Sequence, residues 1–262
     1  MLWLHTSLAL KRIVRDRAVW ALFAVTIFVL VLVPVVGSFS LRQVVPLSLT
    51  FVLACTSLFT TVVAILLGTS SLWLDIEKRY VNYVLVTPVT RECYLAGRFI
   101  AVSTVIVCCA AVLSSLGLLM VLISSPGLNV EISFTAFFAA VVGDCCKGVV
   151  VAALALLFST VATSFYLPFF SSLVIYLCGS ASQGVRDYLA GSHAHLSKVV
   201  IRAADILYYL LPNFSLFDFK VEAAYALPVD GGRFGVAVAY CCCYCALAII
   251  GAMLALQRRQ FA

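Results

Sequence analysis

The chain has 262 residues, 64% of them hydrophobic and only 11% charged, with a formal net charge of +6. A soluble domain carries about a quarter charged residues, so this composition excludes an ordinary water-soluble enzyme or carrier and defines an integral membrane protein. The lysines and arginines sit at the ends of apolar stretches, with no aromatic-interleaved basic patch, so the positive balance reports membrane topology and argues against a nucleic-acid partner.

Residues 1–17 place Trp3, Leu10, Ile13 and Val14 at helical spacing, with Lys11, Arg12, Arg15 and Asp16 between them. This predicts a basic amphipathic helix lying in the membrane interface, with a plain positive flank as the simpler alternative. The apolar run Ala18 to Val36 is too long for a signal-peptide core and lacks a small-residue cleavage site, so it is expected to stay as a span. No Asp, Glu, Lys or Arg occurs in 43–74, 99–130 or 148–185, and each stretch exceeds the roughly 20 residues that cross a hydrocarbon core. Six spans are expected, at about 18–36, 45–74, 100–123, 134–159, 162–182 and 234–256, within a single domain over 1–262. The stretch 134–182 is divided at the weak break near Ser159 and Ser164.

Between the second and third spans lies the charged segment 75–98. Asp75 and Glu77 meet Lys78 and Arg79, and a short apolar and aromatic run follows with Tyr80, Tyr83 and Val84. Thr87-Pro88 then restarts the chain, since Thr as N-cap with Pro at the first helical position favours a new helix. A bent, rigid element of this kind can transmit a push that a Gly/Ser loop could not. With both termini inside, ten basic residues, among them Arg91 and Arg98, are internal and six are external. Five of those six fall in the long segment 183–233, where each counts less. Both termini are therefore expected in the cytoplasm.

The fourth span contains Asp144 and Lys147, three apart and on one helix face. Ionisable residues at that depth are costly and face a bundle interior or wet cavity, which leaves two readings: a contact in a translocation path, or a self-neutralising structural pair. Most of the eleven cysteines lie inside spans and read as small apolar side chains; Cys242 and Cys245 form a C-x-x-C that is the alternative soft-metal or redox reading. In 183–233, Ile206 to Leu211 is apolar, Pro212 stops it, and Asn213 can cap a short helix carrying Phe214, Leu216 and Phe217. This predicts a helical hairpin re-entering the outer leaflet, with Asp205, Asp218 and Lys220 at its rim, where irregular backbone needs protein or water around it. His193 and His195 read as an ordinary polar loop. There is no G-x-x-x-x-G-K-[ST], H-E-x-x-H or G-x-S-x-G, so the chain is not expected to be an enzyme, to bind ATP by a P-loop, or to hold a metal or cofactor.

The stretch Glu77-Lys78-Arg79…Tyr83-Val84-Leu85…Thr87-Pro88-Val89-Thr90-Arg91…Tyr94-Leu95-Ala96-Gly97-Arg98 resembles the loop after the second span of type-2 ABC transporter permeases, and Tyr209-Leu210-Leu211-Pro212-Asn213-Phe214 resembles the Leu-Pro-Asn element before their last span. The likeness is to the exporter-like branch typified by permeases of copper-enzyme maturation. It implies an all-α fold of six transmembrane helices with an N-terminal interface helix and a re-entrant external hairpin. It also implies a bacterial inner-membrane location and pairing with a second copy or a similar chain. Two separate cytoplasmic ATPase subunits would carry ATP and Mg. Residues 1–17 and 75–98 would contact the ATPase, with Glu77, Lys78, Arg79 and Arg91 docking, Tyr80 and Tyr83 anchoring the loop, and Thr87-Pro88 bending it. Leu211, Pro212, Asn213 and Phe214 would belong to the hairpin, about 204–218, that closes the external side. The family pattern assigns no role to Asp144 and Lys147. Two other readings are a non-transporting scaffold that relays ATPase motion to periplasmic factors, and a membrane-embedded enzyme.

Overall fold

The computed structural model describes residues 2–39, 43–77, 91–124, 133–162, 164–191 and 211–258, with Arg202, Ile206 and Tyr208. The elements in chain order are α1 (Leu2–Val14), α2 (Arg17–Val31), α3 (Val33–Ser38), α4 (Val44–Glu77), α5 (Arg91–Ser124), α6 (Phe134–Val161) and α7 (Tyr166–Gly191). A 3-10 turn (Phe214–Phe217), α8 (Lys220–Ala224) and α9 (Gly231–Arg258) complete them. The protein is all-helical over these residues, as a bilayer requires of a chain that must satisfy its backbone internally.

Local chemistry sets several boundaries. Asp16 stands in extended backbone and its carboxylate accepts from the Ala18 N–H at 2.9 Å, starting α2 afresh after α1. Pro34 at the start of α3 interrupts the first span after Leu32. Ser133 caps α6 on the Ala136 N–H. At the far end of α6 the chain turns extended at Ala162, and α7 begins at Tyr166, so the long apolar stretch does divide near the serines.

Among the described residues, five stretches are long and apolar enough to cross a membrane: Arg17–Ser38, Val44–Trp73, Glu92–Ser124, Phe134–Val161 and Gly231–Leu256. The helix α7 has 26 residues, but Gly179, Ser180, Ser182 and Gln183 dilute its apolar character, and it is not among the five. It continues to Gly191, into the segment read from the sequence as external.

In the most apolar part of the second and fourth of these stretches 67% and 61% of the residues are buried within the chain, against 17% in the first, so α4 and α6 form the centre while α2 faces outward. They touch through small residues. A Cβ on Gly68 would lie 2.6 Å from the Ala155 Cβ and 3.0 Å from the Ala152 carbonyl oxygen, the close approach by which helices associate in lipid. Ser159 Oγ also donates to the Thr69 carbonyl at 3.1 Å.

The helices α4 and α5 each have 34 residues, about 51 Å of helix against a hydrocarbon core of about 30 Å. They are registered near one end, where a Cβ on Gly117 would meet Val52 Cγ1 at 2.2 Å. At the other end α4 closes with Glu77 and α5 opens with Arg91. A second apolar cluster of Leu72, Tyr94, Leu95, Leu156 and Ala252 braces those ends against α6 and α9.

Candidate functional site

Two polar features sit deep among the helices. The first is the pair that the sequence places on one face of α6. Lys147 Nζ lies 2.9 Å from Asp144 Oδ1, and the two residues are 6% and 3% exposed. Counted from Phe134, they lie about 15 and 20 Å along the helix, near its middle. Lys147 also donates to Ser57 Oγ on α4, so the pair is tied across the central helix contact. The neighbouring hydroxyls of α4 turn back on their own helix: Thr60 and Thr61 donate to the Ser57 carbonyl at 2.9 and 2.8 Å, and Thr56 donates to Val52. That back-bonding satisfies them locally, whereas the Ser57 hydroxyl bonds across to α6.

The pair is incompletely satisfied. Asp144 Oδ2 is buried and has no hydrogen-bond partner. A buried ion pair offsets its desolvation only with good geometry and further hydrogen bonds. A carboxylate oxygen left bare at this depth therefore keeps the site poised rather than maximally stable.

The second feature is the segment Pro212 to Phe219. A Cβ on Gly143 of α6 would lie 2.4 Å from the Phe217 carbonyl oxygen, and one on Gly179 of α7 would lie 2.4 Å from the Pro212 carbonyl oxygen. Both glycines let an irregular backbone approach where any side chain would exclude it. Measured from Phe134, Gly191 and Gly231, the contacts at Gly143, Gly179 and Tyr240 lie about 13, 18 and 13 Å along α6, α7 and α9. The segment is thus gripped well inside the helix ends.

Asn213 organises it. Its N–H donates to the Tyr240 hydroxyl at 3.1 Å, and its Oδ1 accepts from the Ser215 N–H at 3.1 Å. Its Nδ2 donates to Gln183 Oε1 at 3.1 Å and to the Tyr208 hydroxyl at 3.2 Å. Every polar group of the side chain is used, as a buried amide requires. What Asn213 caps is a 3-10 turn, shorter than the α-helix its position suggests. Pro212 and Phe214 are buried, Leu211 is half-buried, and the Phe214 ring packs on Tyr176 at 5.5 Å. At the rim, Arg233 pairs with Glu222, donates to the Asp218 carbonyl at 3.0 Å and covers the Phe219 ring at 4.8 Å. Lys220 lies 3.9 Å from Asp218.

The two features meet at Gly143 and Asp144: the backbone at Phe217 presses on α6 next to the ion pair. The sequence does not single out Ser57, Gly143, Gly179, Gln183 or Tyr240. A hint of Ser57 exists in the run Thr56, Ser57, Thr60 and Thr61, a hydroxyl-rich stripe in a charge-free span.

Of the predicted docking residues, Glu77 is the last residue of α4 and Arg91 the first of α5. Lys78, Arg79, Tyr80, Tyr83, Val84, Thr87 and Pro88 lie outside the described residues, as do His193, His195 and Asp205. The C-x-x-C does not act as a unit: Cys242 is exposed and Cys245 buried. Cys241 instead turns inward and donates to the Cys146 carbonyl at 3.6 Å. Among the described residues, no group of three or more His, Cys, Asp or Glu is placed to hold a metal.

No protein-family model matches this chain, and no curated protein matches it.

Proposed function

We propose that the chain is the membrane permease subunit of an ATP-binding cassette exporter, coupling ATP hydrolysis on separate cytoplasmic subunits to movement of a substrate across or out of the bilayer. In this reading α7 is a sixth span, α1 is an amphipathic interface helix, and both termini face the cytoplasm of a bacterial inner membrane. The chain pairs with a second copy or a similar permease above two ATPase subunits. The segment 204–218 is a re-entrant hairpin closing the external side.

The observation that carries the proposal is the matched length of α4 and α5 on either side of segment 78–90. Two helices of 34 residues each reach Glu77 and Arg91 at one end of the bundle and carry the charged 78–90 segment between them, and in this reading that end faces the cytoplasm. Their bases are braced by Leu72, Tyr94 and Leu95 against α6 and α9. A force applied to that segment reaches α4, and α4 holds the Lys147 ion pair through Ser57. The grip of α6, α7 and α9 on Pro212 to Phe219 supports the hairpin, and the motif residues of 77–98 point to an ATPase as the source of the force.

Charge reversal at either stalk end, Glu77→Lys or Arg91→Glu, should lower stimulation of the co-purified ATPase about tenfold, the equivalent of about 1.4 kcal/mol of lost docking. Membrane insertion and helix content should be unchanged. The measurement is ATP turnover by the reconstituted complex beside the yield of folded permease. Full stimulation in both variants, or failure of the chain to co-purify with any P-loop ATPase, would count against the reading.

A further inference from the structure

At the elbow between α1 and α2 the surface folds into a groove of about 100 Å³, walled by Ile13, Val19, Trp20, Phe23, Val105 and Cys109. The one strong donor in that wall is already committed: the Trp20 indole N–H donates to the Val14 carbonyl at 2.6 Å. The groove is therefore apolar, and Val14 and Trp20 at its mouth are 48% and 58% exposed. Above it runs α2, where Val25, Phe28 and Val31 are also exposed, a face suited to acyl chains. Around the elbow stand Lys11, Arg15 and Arg17, all exposed. The acid among them, Asp16, spends its carboxylate on the Ala18 N–H.

An apolar slot at an elbow whose chain carries three exposed cations matches one class of molecule, in which a fatty chain and a negative charge are covalently joined. We propose that this elbow is a binding site for an anionic glycerophospholipid, with an acyl chain along Trp20 and Phe23 and its phosphate among Lys11, Arg15 and Arg17. A zwitterionic lipid fits the slot equally well but gains far less from the cations, so the preference for negative charge is the signature. The site would tie α1 to the bilayer, and α1 packs along α5, one of the two helices that flank segment 78–90. The lipid site stands whether or not the chain is a transporter.

The experiment uses the full chain with Trp3→Phe and Trp73→Phe, so that Trp20 is the sole indole. It is reconstituted in phosphatidylcholine vesicles containing graded brominated phosphatidylglycerol or, separately, brominated phosphatidylcholine. Brominated phosphatidylglycerol should quench Trp20 at a several-fold lower mole fraction. Each cation removed (Lys11→Gln, Arg15→Gln, Arg17→Gln) should weaken that preference about fivefold, the size of one basic residue near an anionic surface. Val105→Phe keeps every charge while filling the slot. It should abolish preferential quenching, and so separates occupancy of the groove from general attraction to the surface. Circular dichroism checks folding of each variant. Equal quenching by both lipids, a preference that survives the triple neutralisation, or one untouched by Val105→Phe would each overturn the proposal.

Discussion

Replacing Lys147 with methionine should destabilise the helix bundle by about 3–5 kcal/mol, the cost of stranding one member of a buried ion pair. Methionine is similar in length and apolar, so little volume is lost. What is lost is the ammonium group between Asp144 Oδ1 and Ser57 Oγ. Asp144 already has one oxygen buried without a partner, and the substitution would leave the second in the same state. The double variant Asp144→Leu with Lys147→Met should recover most of the loss, because replacing a whole buried pair by apolar residues is often neutral or stabilising. Thermal unfolding of the detergent-purified chain reads both. The double variant then separates the two roles left open for the pair. A structural pair leaves substrate-stimulated ATP turnover of the assembled complex intact once stability returns. A pair that lines the path does not.

Gly143→Val should cost about 1–3 kcal/mol, the usual range for overpacking a tight interior, and should sit at the top of that range. The atom in the way is the Phe217 carbonyl oxygen, 2.4 Å from the new Cβ, and backbone cannot rotate aside as a side chain can. Phe217 and Phe219, each 1% exposed, would be lifted from their contacts together. Two other glycines calibrate the effect. At Gly251 the Cβ would meet the flexible tip of Leu157 at 3.1 Å, and at Gly184 it meets nothing within 4 Å. Gly251→Ala should therefore be mild, and Gly184→Ala neutral or stabilising by about 0.5–1 kcal/mol, since alanine suits a helix better than glycine. Unfolding temperatures of the three variants test the ranking. A Gly143→Val chain as stable as Gly184→Ala would remove the segment from its place beside α6.

Sequence and structure agree most closely where solvent alone decides. Charge-free runs at 43–74, 99–130 and 148–185 announce apolar helices because hydrocarbon tolerates neither ionised side chains nor unpaired backbone. The break after Val161 was legible in Ser159 and Ser164, although Ala162 is what turns the chain. The spacing of Asp144 and Lys147 predicts their shared face, and the ion pair follows from helical period. The reach of α5 back to Arg91 agrees with the helix expected to lead from Thr87-Pro88 through Arg91 and Tyr94 into the third span, although Thr87 and Pro88 themselves lie outside the described residues. Segment 78–90, which carries most of the family likeness, lies outside the described residues.

By itself, then, the sequence determined the medium and the secondary structure: a helical chain for a bilayer, with one acid and one base at mid-depth and glycines in its helices. Only the tertiary structure decided which surfaces meet. Helical period names the face a residue occupies but not the helix opposite, so nothing local could match Lys147 with Ser57, distant in the chain. Nor could a glycine in a helix, which from sequence is only a weak position, disclose that Gly143 and Gly179 are empty to admit the backbone of Pro212 to Phe219. Those partners are selected by packing between segments far apart in sequence, and such contacts exist only once the helices have assembled.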